Sequence, residues 1–409
     1  DIADDAQLDV LIVEDEFAAS ARAAATVLPA VQIVVVGDAS TVPGARSWDD
    51  FVASGDDIDP GFGDDPRTEV LQLYTSGTTS TQRCCGDASQ PVQRTAELRA
   101  VRVHRGLGVP RRAALFHIAG AGWMSTTLSA GLHLVLLGEM RPNLVAAAIS
   151  EHGITHAFLV PSVINMLVEM PDLSDYDLSA LRLVAYGASP ITPTQLARAM
   201  DTLGCRFVQR YGMTETMGAL TALRAEDHDP HGPRSYLLRS AGTGLPGIEV
   251  QIRDLATGEP LPRGETGEIV SRSRNNTQGY WRREAENAAL FTEDGFLRTG
   301  DAGHIDEDGY LFVTDRVKDM IISGGENVYP IEVESVISEH PSVAEVAVVG
   351  VPDDRWGEAV TAVVRVAPGA ETPTEPNSSS SPSNVWLPTR SPGTSTSSTS
   401  CLATPAARS

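Results

Sequence analysis

Residues 74–79 read YTSGTT, a glycine set among hydroxyl side chains directly after the apolar run VLQL at 70–73. A turn of this kind presents backbone N–H groups and hydroxyls that can surround phosphate oxygens. A plain Ser/Thr-rich surface turn would read the same way, and the G-x-x-x-x-G-K spacing of a Walker loop is absent. Residues 211–216, YGMTET, offer an aromatic face, a glycine, two hydroxyls and a carboxylate. That set can stack a base, touch a phosphate and hold Mg²⁺ through Glu215, because Mg²⁺ is bound by one or two carboxylates plus substrate phosphates. It reads equally as a capped helix start with Thr214 or Thr216 near the N-cap. In GFLRTGD (295–301) Asp301 follows a tight turn and suits the vicinal hydroxyls of a ribose, or closes an ordinary hairpin. DRVKDMIISGGENVYPIEVE (315–334) joins a charged junction, two glycines and a Pro-started helix, and alone would be an interdomain linker.

The elements that must position these residues follow from apolar patterning. LDVLIV (8–13), an Ala-rich stretch to Leu28 and VQIVVVG (31–37) read as strand, helix, strand. Alternation of this kind predicts a parallel sheet covered by helices. It returns as HAFLV (156–160) with a helix over 161–170, LRLVAY (181–186) with a helix after Thr192 and Pro193, and CRFVQR (205–210) running into YGMTET. Thr192 is placed to cap its helix, with Pro193 at the first helical position. In open α/β sheets ligands bind at the carboxyl ends of the strands, which puts YGASP (186–190) and YGMTET on one rim. From about Asp301 the texture changes to GYLFVTD (309–315), DMIIS (319–323), a helix over 330–339, AEVAVVG (344–350) and AVTAVVRV (359–366). The predicted fold class is an α/β large domain of parallel-sheet layers with helices, over 1–315, and a small α+β domain over 316–370.

Composition limits the function. The 409 residues carry a net charge of −23, and no basic footprint for nucleic acid survives that balance. No apolar run reaches the ~20 residues of a membrane helix. The acidic start DIADDAQLDV has no signal-peptide pattern, so a cytoplasmic protein is expected. Cys84, Cys85, Cys205 and Cys401 form no metal spacing and read as free thiols in a reducing compartment. Of 31 basic residues a single one, Lys318, is lysine. Two stretches depart from the rest. Residues 80–112 hold seven arginines and two acids, and in 371–409 Ser, Thr and Pro make up 24 of 39 residues. The latter segment has too little apolar surface to offset its ordering entropy and is expected to be a disordered tail.

Taken in this order, the four chemical segments resemble the adenylate-forming superfamily, and within it acyl-CoA synthetases of the fatty-acid ligase type. LFHIAG (115–120), YGASPI (186–191), FVQRYGMTET (207–216), SAGTGLPGIEV (240–250), GYWRRE (279–284) and VPDDRWGE (351–358) carry the same resemblance, over roughly 8–79 and 114–370. It implies a two-step ligase. A carboxylic acid attacks the α-phosphate of Mg·ATP to give acyl-adenylate and pyrophosphate, and the thiol of coenzyme A then displaces AMP. It further implies that Thr75, Ser76, Gly77, Thr78 and Thr79 hold the β- and γ-phosphates. Gly187, Ala188 and Ser189 would line the adenine pocket, with Tyr211 stacked on the ring. Thr214 would contact the α-phosphate, Glu215 would bind Mg²⁺, and Asp301 and Arg316 would take the ribose. Lys318 falls at the hinge position, Gly324 and Gly325 where the pantetheine arm enters, and His117 at a gate beside the acyl pocket, where a satisfied core histidine is the alternative.

Two departures stand against this pattern. The family's phosphate loop continues as Gly-x-Pro-Lys-Gly, where this chain has STQRCCG (80–86), with Arg83 the only nearby cation. A guanidinium does not simply replace an ammonium. The family's second lysine, in a Gly-Lys pair near the carboxyl terminus, has no counterpart: LPTRSPGT (387–394) stands near its place. Both losses fall in the two stretches of odd composition, which are expected to be frame disruptions, and the chain is expected to be a fragment lacking the start of its large domain. An impaired ligase is the leading reading. A non-catalytic nucleotide- or acyl-adenylate-binding remnant and an amino-acid-activating domain are the alternatives.

Overall fold

The computed structural model describes residues 2–56, 58, 69–76, 81–87, 117–324, 326–338, 340, 342–353 and 355–366. Gly77, Thr78, Thr79, Gly325, most of the stretch 80–112 and the whole of 371–409 lie outside the described residues. The chain divides into two units, one of residues 1–66 with 76–81, the other of 67–75 with 82–409.

In the first unit α1 (Ile2–Ala6) precedes β1 (Val10–Glu14), α2 (Ala18–Val27), β2 (Gln32–Val36), β3 (Arg46–Ser47) and α3 (Trp48–Ala53). The three strands are parallel in the order β1-β2-β3. The predicted strand, helix, strand is therefore present. Ala18 and Ala21 of α2 pack on Ile33 and Val35, small residues that let the helix lie close to the sheet.

β4 (Glu69–Ser76) pairs with β5 (Thr81–Asp87), and all but Ser76 and Thr81 of the two strands belong to the second unit. The extended run VLQL thus continues through Tyr74, Thr75 and Ser76, which are strand residues and not yet turn. After α4 (Ile118–Ser129) and α5 (Pro142–His152) come β6 (His156–Leu159), α6 (Pro161–Val168), β7 (Leu183–Gly187), α7 (Pro193–Leu203), β8 (Arg206–Met213), β9 (Gly218–Leu223) and β10 (Thr243–Gly244). Their sheet runs β10-β9-β8-β7-β6. β6, β7 and β8 are parallel, whereas β8/β9 and β9/β10 are antiparallel. Every residue of β7 is buried, as expected of a parallel strand covered on both faces. Ile164, Leu167, Leu196 and Phe207 are fully buried in the core that α5, α6 and α7 form against this sheet. Thr192 caps α7 as expected. Its hydroxyl accepts from Gln195 N–H, and the Gln195 side chain accepts from Thr192 N–H, completing a capping box.

β11 (Glu249–Arg253), β12 (Gly267–Arg272), β13 (Leu297–Ile305) and β14 (Leu311–Arg316) form an antiparallel sheet in chain order, with α8 (Glu284–Leu290) between β12 and β13. Beyond it β15 (Ile321–Ser323), β16 (Glu326–Val328), β17 (Val343–Asp353) and β18 (Gly357–Val366) make a second antiparallel sheet ordered β16-β15-β18-β17. α9 (Pro330–Ser338) covers it, with Val333 and Ile337 on Ile321, Val348 and Val364. This is the small α+β arrangement read from the texture of the sequence.

Candidate active site

YGASP sits where β7 ends. Gly187 lies opposite Arg210 in the parallel ladder, and a Cβ there would come within 2.2 Å of the Arg210 carbonyl oxygen, so only glycine fits. Ala188 then turns out of the strand in the left-handed region at φ 68°, a conformation that costs energy for a residue with a Cβ. Below this corner Tyr186 is wholly buried, and its hydroxyl lies 3.1 Å from His228 Nε2. His228 Nδ1 lies 2.8 Å from the Arg224 carbonyl, which can only accept, so Nδ1 carries the proton and Nε2 accepts from the phenol. Burial holds the His228 pKa below its ordinary value, which favours this neutral form. The pair braces the end of β7 from which Gly187, Ala188 and Ser189 emerge.

YGMTET is not a helix start. Tyr211, Gly212 and Met213 extend β8, and Thr214, Glu215, Thr216 and Met217 turn the chain into antiparallel β9. The turn closes with Met217 N–H donating to Thr214 O at 2.9 Å, and Met217 takes φ 49°. Thr216, only 1% exposed, locks it from inside: its hydroxyl accepts from Met213 N–H at 3.0 Å and donates to the Gly218 carbonyl at 2.7 Å. A strand reversal was hidden because Thr-x-Thr is as good a cap signal as a turn signal.

Asp301 also lies elsewhere in its element than expected. The tight turn is at Gly295, and Asp301 stands within β13, opposite Arg316 of β14, one residue before a β-bulge at Ala302 and Gly303. Bulges re-aim side chains, which suits a carboxylate that must face a ligand. Tyr211 Oη donates to Asp301 Oδ2 at 2.7 Å, and Arg316 Nε lies 4.0 Å from Oδ1. Burial raises the Asp301 pKa, against the Tyr211 hydrogen bond and the Arg316 charge, which lower it. The negative charges of Asp315 and Glu215 also reach it. The Tyr211 phenol is pushed well above its ordinary value by burial and then by the Asp301 charge, so it stays a donor. The structure thus brings Tyr211, Asp301, Arg316 and Glu215 into one neighbourhood, with Gly187 on the strand beside Tyr211.

Glu215 is 6% exposed. Its Oε1 accepts from the Tyr280 hydroxyl at 2.7 Å, and its carbonyl accepts from Thr277 N–H at 2.7 Å. The sequence carries no local signal for these two contacts. Tyr280 and Thr277 lie more than 60 positions from Glu215, and no local period marks a partner at that distance. The segment GYWRRE (279–284) includes Gly279 and Tyr280 of this loop.

The remaining candidates stand on other elements. Thr75 Oγ1 is buried without a hydrogen-bond partner among the described residues, an orphan hydroxyl of the kind a bound polar group would satisfy. His117 is the exposed N-cap of α4, and its Nδ1 accepts from Ala119 N–H at 3.2 Å. It is not a core histidine. Lys318 sits exposed in a single 3-10 turn, Val317–Asp319, after β14. It makes no ion pair among the described residues. Just before it, Asp315 Oδ2 accepts from Ile331 N–H at 3.0 Å, tying β14 to the first turn of α9. Gly324 has φ 63° and packs so tightly on Trp356 that a Cβ would come within 2.8 Å of its ring.

This arrangement of a mixed sheet, an antiparallel sheet and a smaller sheet with one helix is that of the adenylate-forming enzymes. It superposes on the amide bond synthetase McbA of Marinactinospora thermotolerans with TM-score 0.74 and 34% identity, covering 89% of this chain and 71% of that one. It superposes on ATP-bound MatB of Rhodopseudomonas palustris with TM-score 0.76 and 28% identity, covering 91% and 72%. The chain belongs to the AMP-binding enzyme family, whose model matches residues 1–281, while that of the AMP-binding enzyme C-terminal domain matches 332–379. A fatty acid–[acyl-carrier-protein] ligase of Streptomyces coeruleorubidus is 35% identical over 90% of this chain and 70% of its own length. A medium/long-chain fatty-acid–CoA ligase of Mycobacterium tuberculosis is 39% identical over 73% of this chain, which spans 52% of that relative. No helix among the described residues is long and apolar enough to cross a membrane.

Proposed function

We propose that the chain is an ATP-dependent acid–thiol ligase that joins a carboxylic acid to coenzyme A through an acyl-adenylate, and that it acts in the cytoplasm. A fatty or other apolar acid fits the relatives best. The observation that carries this reading is the Tyr211–Asp301–Arg316 constellation. An aromatic ring beside a carboxylate with one oxygen still open, Oδ1, is suited to a nucleoside whose base stacks and whose diol donates. Gly187, Ala188 and Ser189 would line the base, and Thr214 would contact the α-phosphate. Thr75, Ser76, Gly77, Thr78 and Thr79 would hold the outer phosphates, the orphan Thr75 hydroxyl among them. Glu215 fits a Mg²⁺ ion that takes one carboxylate and completes its shell with phosphates, where it would offset charge on the triphosphate. His117 would stand beside the acyl pocket, and Gly324 and Gly325 on the path of the thiol.

Attack of the carboxylate oxygen on the α-phosphorus forms the new P–O bond as pyrophosphate leaves with its electron pair. The thiol sulfur of coenzyme A then attacks the acyl carbon, and AMP departs. Positioned donors contribute more to the first step than covalent help does. We place the large domain at 1–315 and the small one at 316–370, meeting at Arg316, with Lys318 as the hinge.

Calorimetry with ATP and AMP, followed by pyrophosphate release across a panel of carboxylic acids, tests the reading. Binding of either nucleotide, weakened by Asp301→Ala, is the expected result. Absence of heat with both on folded protein would overturn it.

A further inference from the structure

Glu215 lies in a turn, where a carboxylate ordinarily samples several rotamers. Here both ends of the residue are held, and both holds come from one loop, 273–280. Thr277 N–H engages its carbonyl, and the Tyr280 phenol engages Oε1. That loop is in turn braced. Asn276 Nδ2 donates to the Ser271 carbonyl at 2.9 Å, and the Thr277 hydroxyl accepts from Gly279 N–H at 3.2 Å. Asn287 of α8 clamps the Tyr280 backbone from both sides, accepting from its N–H at 2.6 Å and donating to its carbonyl at 2.8 Å. The approach is so close that Gly279, at φ 137°, has no room for a Cβ, which would meet Asn287 Oδ1 at 2.7 Å. The Tyr280 ring itself is packed with Leu290 and Leu297. A chain of fixed contacts therefore runs from α8 through Tyr280 to one oxygen of Glu215.

Resting on the reading of Glu215 as the metal carboxylate, we propose that Tyr280 is a positioning residue for the divalent cation, with Asn287 setting its place. By occupying Oε1, the phenol leaves Oε2 as the oxygen open to the metal and presents Glu215 as a one-oxygen ligand. It also satisfies one oxygen of a buried carboxylate, which would otherwise be an unpaired polar atom. Partners that orient a metal ligand in this way typically change metal affinity ten- to hundredfold when removed.

The test uses the full chain and its Tyr280→Phe and Glu215→Gln variants. Phenylalanine keeps the packed ring and deletes only the hydroxyl, and thermal melting checks that each variant is folded. Mn²⁺ is titrated in the presence of ATP while free Mn²⁺ is followed by its electron paramagnetic resonance signal, and metal-free ATP binding is measured in chelator. Tyr280→Phe is expected to raise the Mn²⁺ concentration for half-saturation about ten- to hundredfold and leave metal-free ATP affinity within about twofold. Glu215→Gln is expected to remove the metal dependence. Wild-type Mn²⁺ dependence in Tyr280→Phe, or an equal loss with and without metal, overturns the positioning role. Retention of metal dependence in Glu215→Gln overturns instead the assignment of Glu215 on which it rests.

Discussion

Glu215, proposed above as the metal carboxylate, and Lys318, proposed as the hinge, are charged side chains that the fold treats in opposite ways. Glu215 is buried, hydrogen-bonded at its carboxylate and its carbonyl, and lies in a turn that Thr216 locks from within. Lys318 is exposed on one 3-10 turn and has no ion pair among the described residues. The same contrast separates Asp301, bonded to Tyr211 at 2.7 Å, from Arg316, exposed and 4.0 Å away. At the candidate site the two acids are held by hydrogen bonds and the two cations are exposed. A preorganised group costs no reorganisation as charge develops, so its effect is largest at the transition state. On the roles proposed for these residues, nucleotide binding is expected to survive better than catalysis of pyrophosphate release.

The largest expected effect tests the cationic half of this contrast. Replacing residues 80–84 with the family's Gly-x-Pro-Lys-Gly pattern should by itself change acid-dependent pyrophosphate release little. Installing a Gly-Lys pair near 390 as well should raise it by on the order of 10²–10³, the usual worth of a fixed donor at a developing anion. Robust pyrophosphate release by the unmodified 409-residue chain would show that the missing lysines do not matter.

How much of this was open to a reader of the sequence depends on whether a residue's role is local. The capping of α7 by Thr192 was legible, because cap, Pro193 and apolar period lie within one turn. So were β7, β8 and the small sheet. The reversal after Met213 was not, since Thr214 and Thr216 satisfy the rules for a helix cap and a turn alike. Tyr211 and Asp301 could each be picked out by type, but not their hydrogen bond, which joins positions 90 apart across two sheets. Tyr280 and Asn287 stayed hidden for the same reason. The resemblance makes His117 a gate, and the structure shows its ring accepting the Ala119 N–H of α4, a capping contact made two residues along the chain.

A smaller effect is expected at Asp301, and it separates binding from stability. Its folded pKa is raised, so between the ordinary carboxylate range and that raised value the folded state holds a proton that the unfolded state has lost. Stability therefore falls as pH rises through this window, and the ionised, buried carboxylate is a cost at neutral pH. Asp301→Asn retains an acceptor for the Tyr211 hydroxyl without the charge. It should melt at or above the wild-type temperature near pH 7, with the difference shrinking as pH is lowered through the window. Nucleotide affinity should nevertheless drop about ten- to hundredfold, for the loss of a charge-assisted bond of roughly 1.5–3 kcal/mol. A variant that melts lower at neutral pH would mean that the carboxylate is held by contacts stronger than its burial cost.

The smallest expected effect is at Lys318, and it is the sharpest test of the contrast. An exposed side chain with no ion pair among the described residues contributes little, so Lys318→Ala should leave the unfolding free energy within about 0.5 kcal/mol of wild type and ATP affinity within about threefold. A hinge residue acts when the small domain moves, and a binding measurement does not sample that step. The prediction has force because this is the only lysine in 409 residues. Were Lys318 to reach the phosphates in place of the lysines the chain lacks, its removal would lower ATP affinity far beyond threefold and abolish any pyrophosphate release. The two carboxylates would then have a cation to match them, and the asymmetry between the locked acids and the loose bases would describe only the ligand-free protein.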